Sequence, residues 1–552
     1  MTETYIWPGM HTEGDLTQAY LLTALASGTP NKEIIIDYSL GLDKRVGITC
    51  KELNRMACKT GNALLDLGLK KGDKLVWLED DHHWDFFITY GGSKTGIIHS
   101  AINYRLTPPE IPPQVNHCDA TVFIVGEAYI DTINQIKDQL PNIKHYIAIT
   151  SPEKTPKGYL NFWDLVEKAS EDDPEERVGG IKPDDIWCIG YTSGTTGTPK
   201  GVLQSQQTAL AWGVSWALDH RYNWGDTTLY PMPIFHWGGF GALGNCMLMC
   251  RNATIMTGKF DPVKMWEVID KEKPKTITIA ATMLIGMFMV PDWKTKYDYS
   301  SLKHFSSSGA PIPTPVMQQL LEIFPDVTVE YSYTCTETLF SVANRSMIEK
   351  KLADGGNMVG LPFHGVQLSI RDREDPTKEV PRGEIGLIYR RGPASYLGYY
   401  KAPEITKECV LPGGWMTVEE LGYLDVEDGF LYMVDRSKDM ICTGGENVAS
   451  IEVESVVMKH PAVAEAAVIG IPDVTLGEKV TAMVSLKPGE NASPEEIIDF
   501  CKGKIAGFKR PRDIRIMDEL PKNPFGKLLK KDLRQPFWEG KDMERVWGGK
   551  KK

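Results

Sequence analysis

Residues 191–201, YTSGTTGTPKG, are a strand-like run that ends in closely spaced glycine, serine and threonine with one lysine. Backbone N–H groups and hydroxyls crowded in this way suit the oxygens of a polyphosphate. The run is not the G-x-x-x-x-G-K-[ST] loop: counted from Gly194, that pattern needs glycine at 199, where Pro199 stands, and Gly201 follows Lys200. Residues 331–337, YSYTCTE, set the aromatic face of Tyr333 beside the hydroxyl of Thr336 and the carboxylate of Glu337. Far downstream, Lys527 follows Gly526 in the basic run PKNPFGKLLKK. A positioned ammonium there would stabilise negative charge gathering on phosphate oxygens, whereas Lys522, Lys530 and Lys531 make a solvated charge run the plain alternative. His236 lies in PIFHWGGF, between an aromatic residue and a glycine-rich turn. Most isolated histidines are structural, which is the plain alternative for His236. Glu419 and Glu420, in VEEL, are two adjacent carboxylates whose plain reading is solvated surface charge.

These residues need a scaffold of alternating elements. Between 49 and 137, LNRMACKTGNALLDLGL carries apolar residues at helical spacing, and KLVWLED and TVFIVGE read as strands, which is α/β alternation. The charged, Pro- and Gly-broken segment 171–185 reads as a surface connector ahead of the strand IWCIGYT. From 353 to 432 short strands such as VQLSIRD and GEIGLIYRRG suggest a β-rich subdomain. A compact α/β unit follows DRSKDMICTGGENV: helix IEVESVVMKH, strands AEAAVIGIP and KVTAMVSLKPG, helix PEEIIDFCKGKI, a basic loop and a short helix. The expected fold class is mixed α/β: a large N-terminal domain, 1–437, of stacked α/β subdomains plus the β-rich subdomain, and a small, mobile C-terminal domain, 438–552.

At 552 residues more than one domain is required, and 42% hydrophobic with 24% charged residues is ordinary globular composition. A formal net charge of -12 argues against a nucleic-acid coat, so anions must be held by local design. The ten cysteines show no CxxC pair, which fits reduced thiols in a cytoplasmic protein; Cys246 and Cys250, in the apolar run GNCMLMC, read as core. The first residues lack a basic start and an apolar stretch, so no secretory signal is expected. The longest apolar run, 277–290, is shorter than the roughly 20 residues a membrane span needs and suits a buried strand entering a helix.

In order along the chain, YTSGTTGTPKG, PMPIFHWGGF (231–240), SSGAP (307–311), YSYTCTE, GWMTVEELGYLD (414–425), DRSKDMICTGGENV (435–448) and PKNPFGKLLKKDL (521–533) resemble the adenylate-forming superfamily of acyl-CoA synthetases, amino-acid adenylation domains and luciferases. The resemblance spans nearly the whole chain. It implies an ATP-dependent, AMP-forming acid–thiol ligase using Mg²⁺ and coenzyme A. By that resemblance Thr192, Ser193, Gly194, Thr195, Thr196, Gly197 and Lys200 cradle the phosphates, and Ser308, Gly309, Ala310, Pro311, Tyr331, Ser332 and Tyr333 hold the nucleotide, with Tyr333 stacked on adenine. Thr336 bonds the phosphate, Glu337 with Thr195 binds Mg²⁺, and Glu420 and Arg436 hold the ribose. Lys438 falls at the hinge, Gly444 and Gly445 border the pantetheine path, Lys527 is the catalytic lysine, and His236 stands at the acyl-pocket entrance. Two departures stand out: Thr334 where the family usually has Gly, and Val418, Glu419 and Glu420 where it usually has Thr-Gly-Asp.

The expected partners are a small carboxylic acid, ATP and CoA, with no nucleic acid and no transmembrane segment; peripheral membrane contact and a homodimer are left open. Rival readings are an amino-acid or aryl-acid adenylation domain loading a carrier protein, a luciferase-like oxygenase, and a nucleotide-binding regulatory protein without catalysis. The amino-acid domain usually carries Asp where this chain has His236. No basic residue appears in PMPIFHWGGF, IAATMLIGMF or FSSSGAP to bind a second carboxylate, which favours an apolar acid: medium-chain fatty, cyclic or aromatic.

Overall fold

The computed structural model describes residues 16–539 other than 193–199, 240–243, 309–311, 313, 355–356, 445 and 523–527. The chain divides into two units: Met1–Arg345 with Phe363–Val366 and Gly392–Thr406, and Ser346–Pro362 with Gln367–Arg391 and Lys407–Lys552.

In the first unit, short apolar runs buried on both faces form two mainly parallel sheets, as helix-covered sheets require. One sheet runs, in spatial order, Thr338–Asn344, Thr328–Cys335, His304–Ser308, Thr276–Thr278, Thr227–Leu229, Ala253–Met256, Glu33–Asp37 and Val46–Thr49, and only its two outer strands are antiparallel. The other runs Gly398–Tyr399, Lys200–Ser205, Ile186–Thr192, Ile98–Ala101, Lys74–Leu78, Val122–Gly126, His145–Ile149 and Leu160–Asn161. Its strand Val122–Gly126 is buried throughout. Helix Cys50–Asp66 starts where the Thr49 side chain accepts from Glu52 N–H, and Gln206–Asp219 starts where Ser205 accepts from Thr208 N–H; these caps end the preceding strands sharply. The apolar run at 277–290 is the end of strand Thr276–Thr278 followed by helix Ala281–Phe288. Among the described residues no helix is long and apolar enough to cross a membrane.

The topology already gathers the motifs. Residues 231–239, 279–288, Ser308 and 333–337 all follow or close the C-terminal ends of neighbouring parallel strands, the edge where open α/β sheets hold ligands.

The second unit holds an antiparallel sheet of Gln367–Arg371, Gly386–Arg391, Trp415–Leu424, Leu431–Arg436 and Met358–Pro362. It also holds a sheet of Glu446–Val448, Ile441–Thr443, Gly477–Leu486 and Val463–Asp473. Alternation along Val463–Asp473 explains the unbroken run AEAAVIGIP: Ala466 and Val468 pack with Val453, Val480 and Ile497, while Ala467 and Ile469 on the opposite face pack with Leu520 and Leu533. Two local expectations change. The basic loop contains a strand, Asp513–Ile516, parallel to Gly477–Leu486, and helix Pro494–Phe500 stops short of the predicted end because the chain turns at 501–504, with Gly503 at φ 72.

Candidate active site

Strands Ile186–Thr192 and Lys200–Ser205 form an antiparallel hairpin whose last matched pair is Thr192 opposite Lys200. The glycine-rich residues between them, Ser193, Gly194, Thr195, Thr196 and Gly197 of the predicted cradle, lie outside the described residues. Gly201 is needed below them, since a Cβ there would sit 2.7 Å from Ile189 Cγ2 and 3.4 Å from the Tyr191 ring.

This hairpin is joined directly to the YSYTCTE segment. Gln204 Nε2 donates to Thr336 O at 2.9 Å, and Gly190 faces the Thr336 methyl, so a Cβ at 190 would lie 3.3 Å from Cγ2. Strand Gly398–Tyr399 pairs with Lys200–Ser205, Tyr396 N–H donates to Glu337 O at 3.0 Å, and Tyr399 O–H donates to Glu337 Oε1 at 2.8 Å. Lys200 Nζ stands 5.1 Å from the Tyr399 ring centroid. Glu337 is 8% exposed, so Tyr399 fixes a largely desolvated carboxylate against the base of the hairpin. Neither Gln204 nor Tyr399 was singled out from sequence: a lone Gln in a strand and a Tyr in GYYK carry no spacing signal.

Tyr333 stacks on Phe340 with ring centroids 4.8 Å apart, and its hydroxyl has no partner among the described residues. The ring thus has one face backed by an aromatic neighbour, an arrangement suited to stacking a planar base on the other. Tyr331 and Tyr333 alternate with Ser332, whose Oγ meets His220 Nε2 at 2.7 Å; Ser332 is buried and turned away from the tyrosine face. Ser308 pairs in register with Ser332 at the end of its strand. Gly309, Ala310 and Pro311 lie outside the described residues.

His236 belongs to a tight turn. Its N–H donates to Pro233 O at 3.2 Å, Gly239 N–H donates to His236 O at 2.8 Å, and Gly238 N–H donates to His236 Nδ1 at 3.2 Å. Nδ1 is therefore an acceptor. Burial pushes the imidazole down to about 4, which keeps it uncharged at neutral pH. Trp237 is buried edge-on against Trp187 and Trp212, at 5.7 and 5.6 Å. Behind the turn, Ile234 N–H donates to Asp81 Oδ1 at 2.6 Å, and burial pushes the Asp81 carboxyl up to about 7.

The predicted ribose pair lies in the second unit, and there the strand register decides between neighbouring glutamates. Glu420 is matched with Arg436 across the ladder, Arg436 Nε donates to Glu420 Oε1 at 3.4 Å, and Glu420 is 6% exposed, whereas Glu419 is exposed with φ 62. The irregularity between the pairs Tyr389–Thr417 and Leu387–Leu421 is a bulge that turns Glu420 inward. Next to it, Arg534 Nη1 donates to Lys438 O at 3.3 Å and to Asp439 Oδ1 at 3.0 Å. Burial, aided by Arg436, lowers Lys438 to about 8. Gly444 takes φ 60 and donates its N–H to Leu476 O at 2.7 Å, while Gly445 is outside the described residues.

Lys527 is also outside the described residues, but the ends of its segment are held. Lys522 bridges Leu528, Leu529 N–H donates to Pro521 O at 2.9 Å, and Lys530 Nζ contacts Glu454 Oε1 and Ser450 Oγ at 2.7 and 2.6 Å. Burial opposes charge on Lys530, yet Glu454, Asp435 and Asp439 outweigh it and raise its pKa.

An antiparallel hairpin flanking a glycine-rich run, tied to a buried carboxylate and a backed aromatic ring at the edge of the neighbouring sheet, fits an adenylate-forming enzyme of the acid–thiol ligase type. The chain belongs to the AMP-binding enzyme family: residues 22–400 match that family's model, and residues 452–527 match the AMP-binding enzyme C-terminal domain. A long-chain-fatty-acid–CoA ligase of Bacillus subtilis (strain 168) is 31% identical, with 93% of this chain and 93% of that protein covered. A feruloyl-CoA synthase of an Amycolatopsis species is 29% identical over 89% of this chain and 94% of its own. The crystal structure of ATP-bound MatB from Rhodopseudomonas palustris superposes with a TM-score of 0.81 at 27% identity, covering 94% of this chain and 99% of that one.

Proposed function

We propose that the protein joins an apolar carboxylic acid to coenzyme A with ATP, through an acyl adenylate. The observation that carries this reading is the fixing of Glu337 by Tyr399 at the foot of the hairpin that spans Thr192 and Lys200. The named relatives are CoA ligases of an aliphatic and of an aromatic acid, which supports CoA as acceptor and leaves the acid open between those classes.

In the first half-reaction a carboxylate oxygen attacks the α-phosphorus, the bond to the bridging oxygen breaks, and pyrophosphate leaves. Positioning and charge neutralisation supply most of the catalysis. Lys200 and Lys527 meet phosphate charge, the Tyr333 ring takes the adenine, and Glu420 with Arg436 takes the ribose hydroxyls. In the second half the thiol of CoA attacks the acyl carbon, the acyl–oxygen bond breaks, AMP leaves with that oxygen, and the thiol proton passes to solvent. Residues 438–552 turn about Lys438 between the halves, so that Lys527 serves the first and the segment at Gly444 and Gly445 the second.

Glu337 fits a magnesium ion. Among the described residues no group of three or more His, Cys, Asp or Glu is built to hold a metal, and a single hard carboxylate suits an ion shared with substrate phosphates and water. When bound it neutralises phosphate charge; Tyr399 holds the Glu337 carboxylate oriented for it.

A neutral His236 beside Trp237 leaves the turn without a cation for a second carboxylate. In a panel assay of pyrophosphate release, octanoate, cyclohexanecarboxylate and benzoate-type acids are expected to exceed acetate and adipate by roughly tenfold or more in kcat/KM, since each buried methylene contributes about 0.8 kcal/mol and an unpaired buried carboxylate is costly. Preference for adipate would overturn the apolar-acid assignment.

A further inference from the structure

On the reading that residues 231–239 wall the acyl pocket, we infer that Asp81 and Tyr104 are positioning residues that clamp this turn and set the enzyme's affinity for its acid. Asp81 follows strand Lys74–Leu78 and is 5% exposed; its Oδ1 accepts the Ile234 N–H at 2.6 Å. Tyr104 follows strand Ile98–Ala101; its O–H donates to Asp81 Oδ2 at 3.3 Å, and its ring meets the Phe235 ring edge-on at 4.9 Å. The clamp therefore grips the backbone at 234 and the side chain at 235, the two residues immediately before His236.

The turn also bonds to itself, and its Trp237 packs against Trp187 and Trp212. Its bonds from His236 N–H, Gly238 N–H and Gly239 N–H all end within 233–236, and Tyr230 O–H donates to Gly238 O at 2.7 Å. A Cβ on Gly239 would come within 2.2 Å of Pro233 O, so the two backbone stretches approach closely enough there that only glycine fits. Asp81 adds to that packing a hydrogen-bonded anchor on the backbone at 234, reaching the turn from the other sheet of the same unit. The cavity that Asp81 shares with Phe86, Tyr230, Met232, Ile234 and Gly239 holds only about 10 Å³, room for a single water, so little space remains for the turn to settle elsewhere.

Chemistry separates the variants. Asparagine keeps an Oδ1 acceptor for Ile234, whereas alanine leaves a buried N–H unsatisfied. Asp81→Ala is expected to raise KM for the acid roughly tenfold while KM for ATP stays within about twofold, Asp81→Asn to restore most of the loss, and Tyr104→Phe to give a smaller, equally selective rise. Amide hydrogen exchange on the full-length protein should quicken at 231–239 in Asp81→Ala, and this readout stands even if the chemistry proposed above is wrong. That chemistry is checked separately by acid-dependent pyrophosphate release from the unaltered enzyme. Unchanged exchange at 231–239, equal rises in the acid and ATP constants, or an Asn variant as impaired as the Ala variant would each overturn the clamp. If Asp81→Ala fails to fold, Tyr104→Phe decides: an acid KM equal to that of the unaltered enzyme overturns the inference.

Discussion

Lys527→Ala is expected to lower acyl-adenylate formation by roughly 100- to 1,000-fold, about 3–4 kcal/mol, while thioester formation from supplied acyl-AMP continues near its normal rate. The size follows from what the ammonium does: negative charge concentrates on the phosphate oxygens as the carboxylate attacks, and a preoriented cation is worth most at that moment. The selectivity follows from the second half-reaction, in which no phosphorus bond changes. Folding should be unaffected within about 0.5 kcal/mol, because the stems of the segment are held by the Lys522–Leu528 bridge and by Lys530 on Glu454. Rapid-quench measurement of each half-reaction, with a thermal melt as control, checks all three statements. Equal loss in both halves would remove Lys527 from its assigned role.

The complementary substitution is Lys438→Pro. Ser437 N–H donates to Glu419 O at 2.9 Å and Asp439 N–H donates to Arg436 O at 2.9 Å, so the turn is hydrogen-bonded on both sides of Lys438, and Arg534 grips Lys438 O. Proline fixes φ near −65° and restricts the preceding residue, which removes rotation where the proposed turn between half-reactions takes place. If the enzyme alternates between two comparably populated arrangements, holding 99% of it in the adenylating one lowers the rate of thioester formation by about 50-fold and leaves adenylation intact. The same two rapid-quench assays read this directly; slow adenylation with normal thioester formation would reverse the assignment.

What the sequence made legible was the material with a period or a fixed offset. Strands Lys74–Leu78, Val122–Gly126 and Ile186–Thr192 are short apolar runs, helix Cys50–Asp66 has a helical stripe, and each is found where the pattern indicates. Asp513–Ile516 was hidden because its residues alternate charge with isoleucine inside a basic stretch, and its place is set by partners in Gly477–Leu486 more than 25 residues away. Helix Pro494–Phe500 was overextended because Lys502 and Lys504 fit a helical surface, while Gly503 in a left-handed conformation ends it.

The site follows the same division. Thr192, Lys200, Thr336 and Glu337 are carried by compact motifs, but what unites them is Gln204 on the Thr336 carbonyl and Tyr399 on the Glu337 carboxylate, contacts across 132 and 62 residues of sequence. Ser332 belongs to a motif by spacing and yet turns to His220, because alternation along a strand sends it opposite the tyrosines. Glu419 and Glu420 are indistinguishable as letters; a bulge and the cross-strand Arg436 separate them.

The path of a single oxygen tests the account most directly. With ATP, Mg²⁺, CoA and an acid labelled with ¹⁸O in its carboxyl group, the enzyme should release AMP carrying one labelled oxygen in its phosphate, matched in amount to the acyl-CoA formed. Label appearing in inorganic phosphate together with ADP, or AMP emerging unlabelled while the thioester accumulates, would contradict an acyl adenylate as the intermediate.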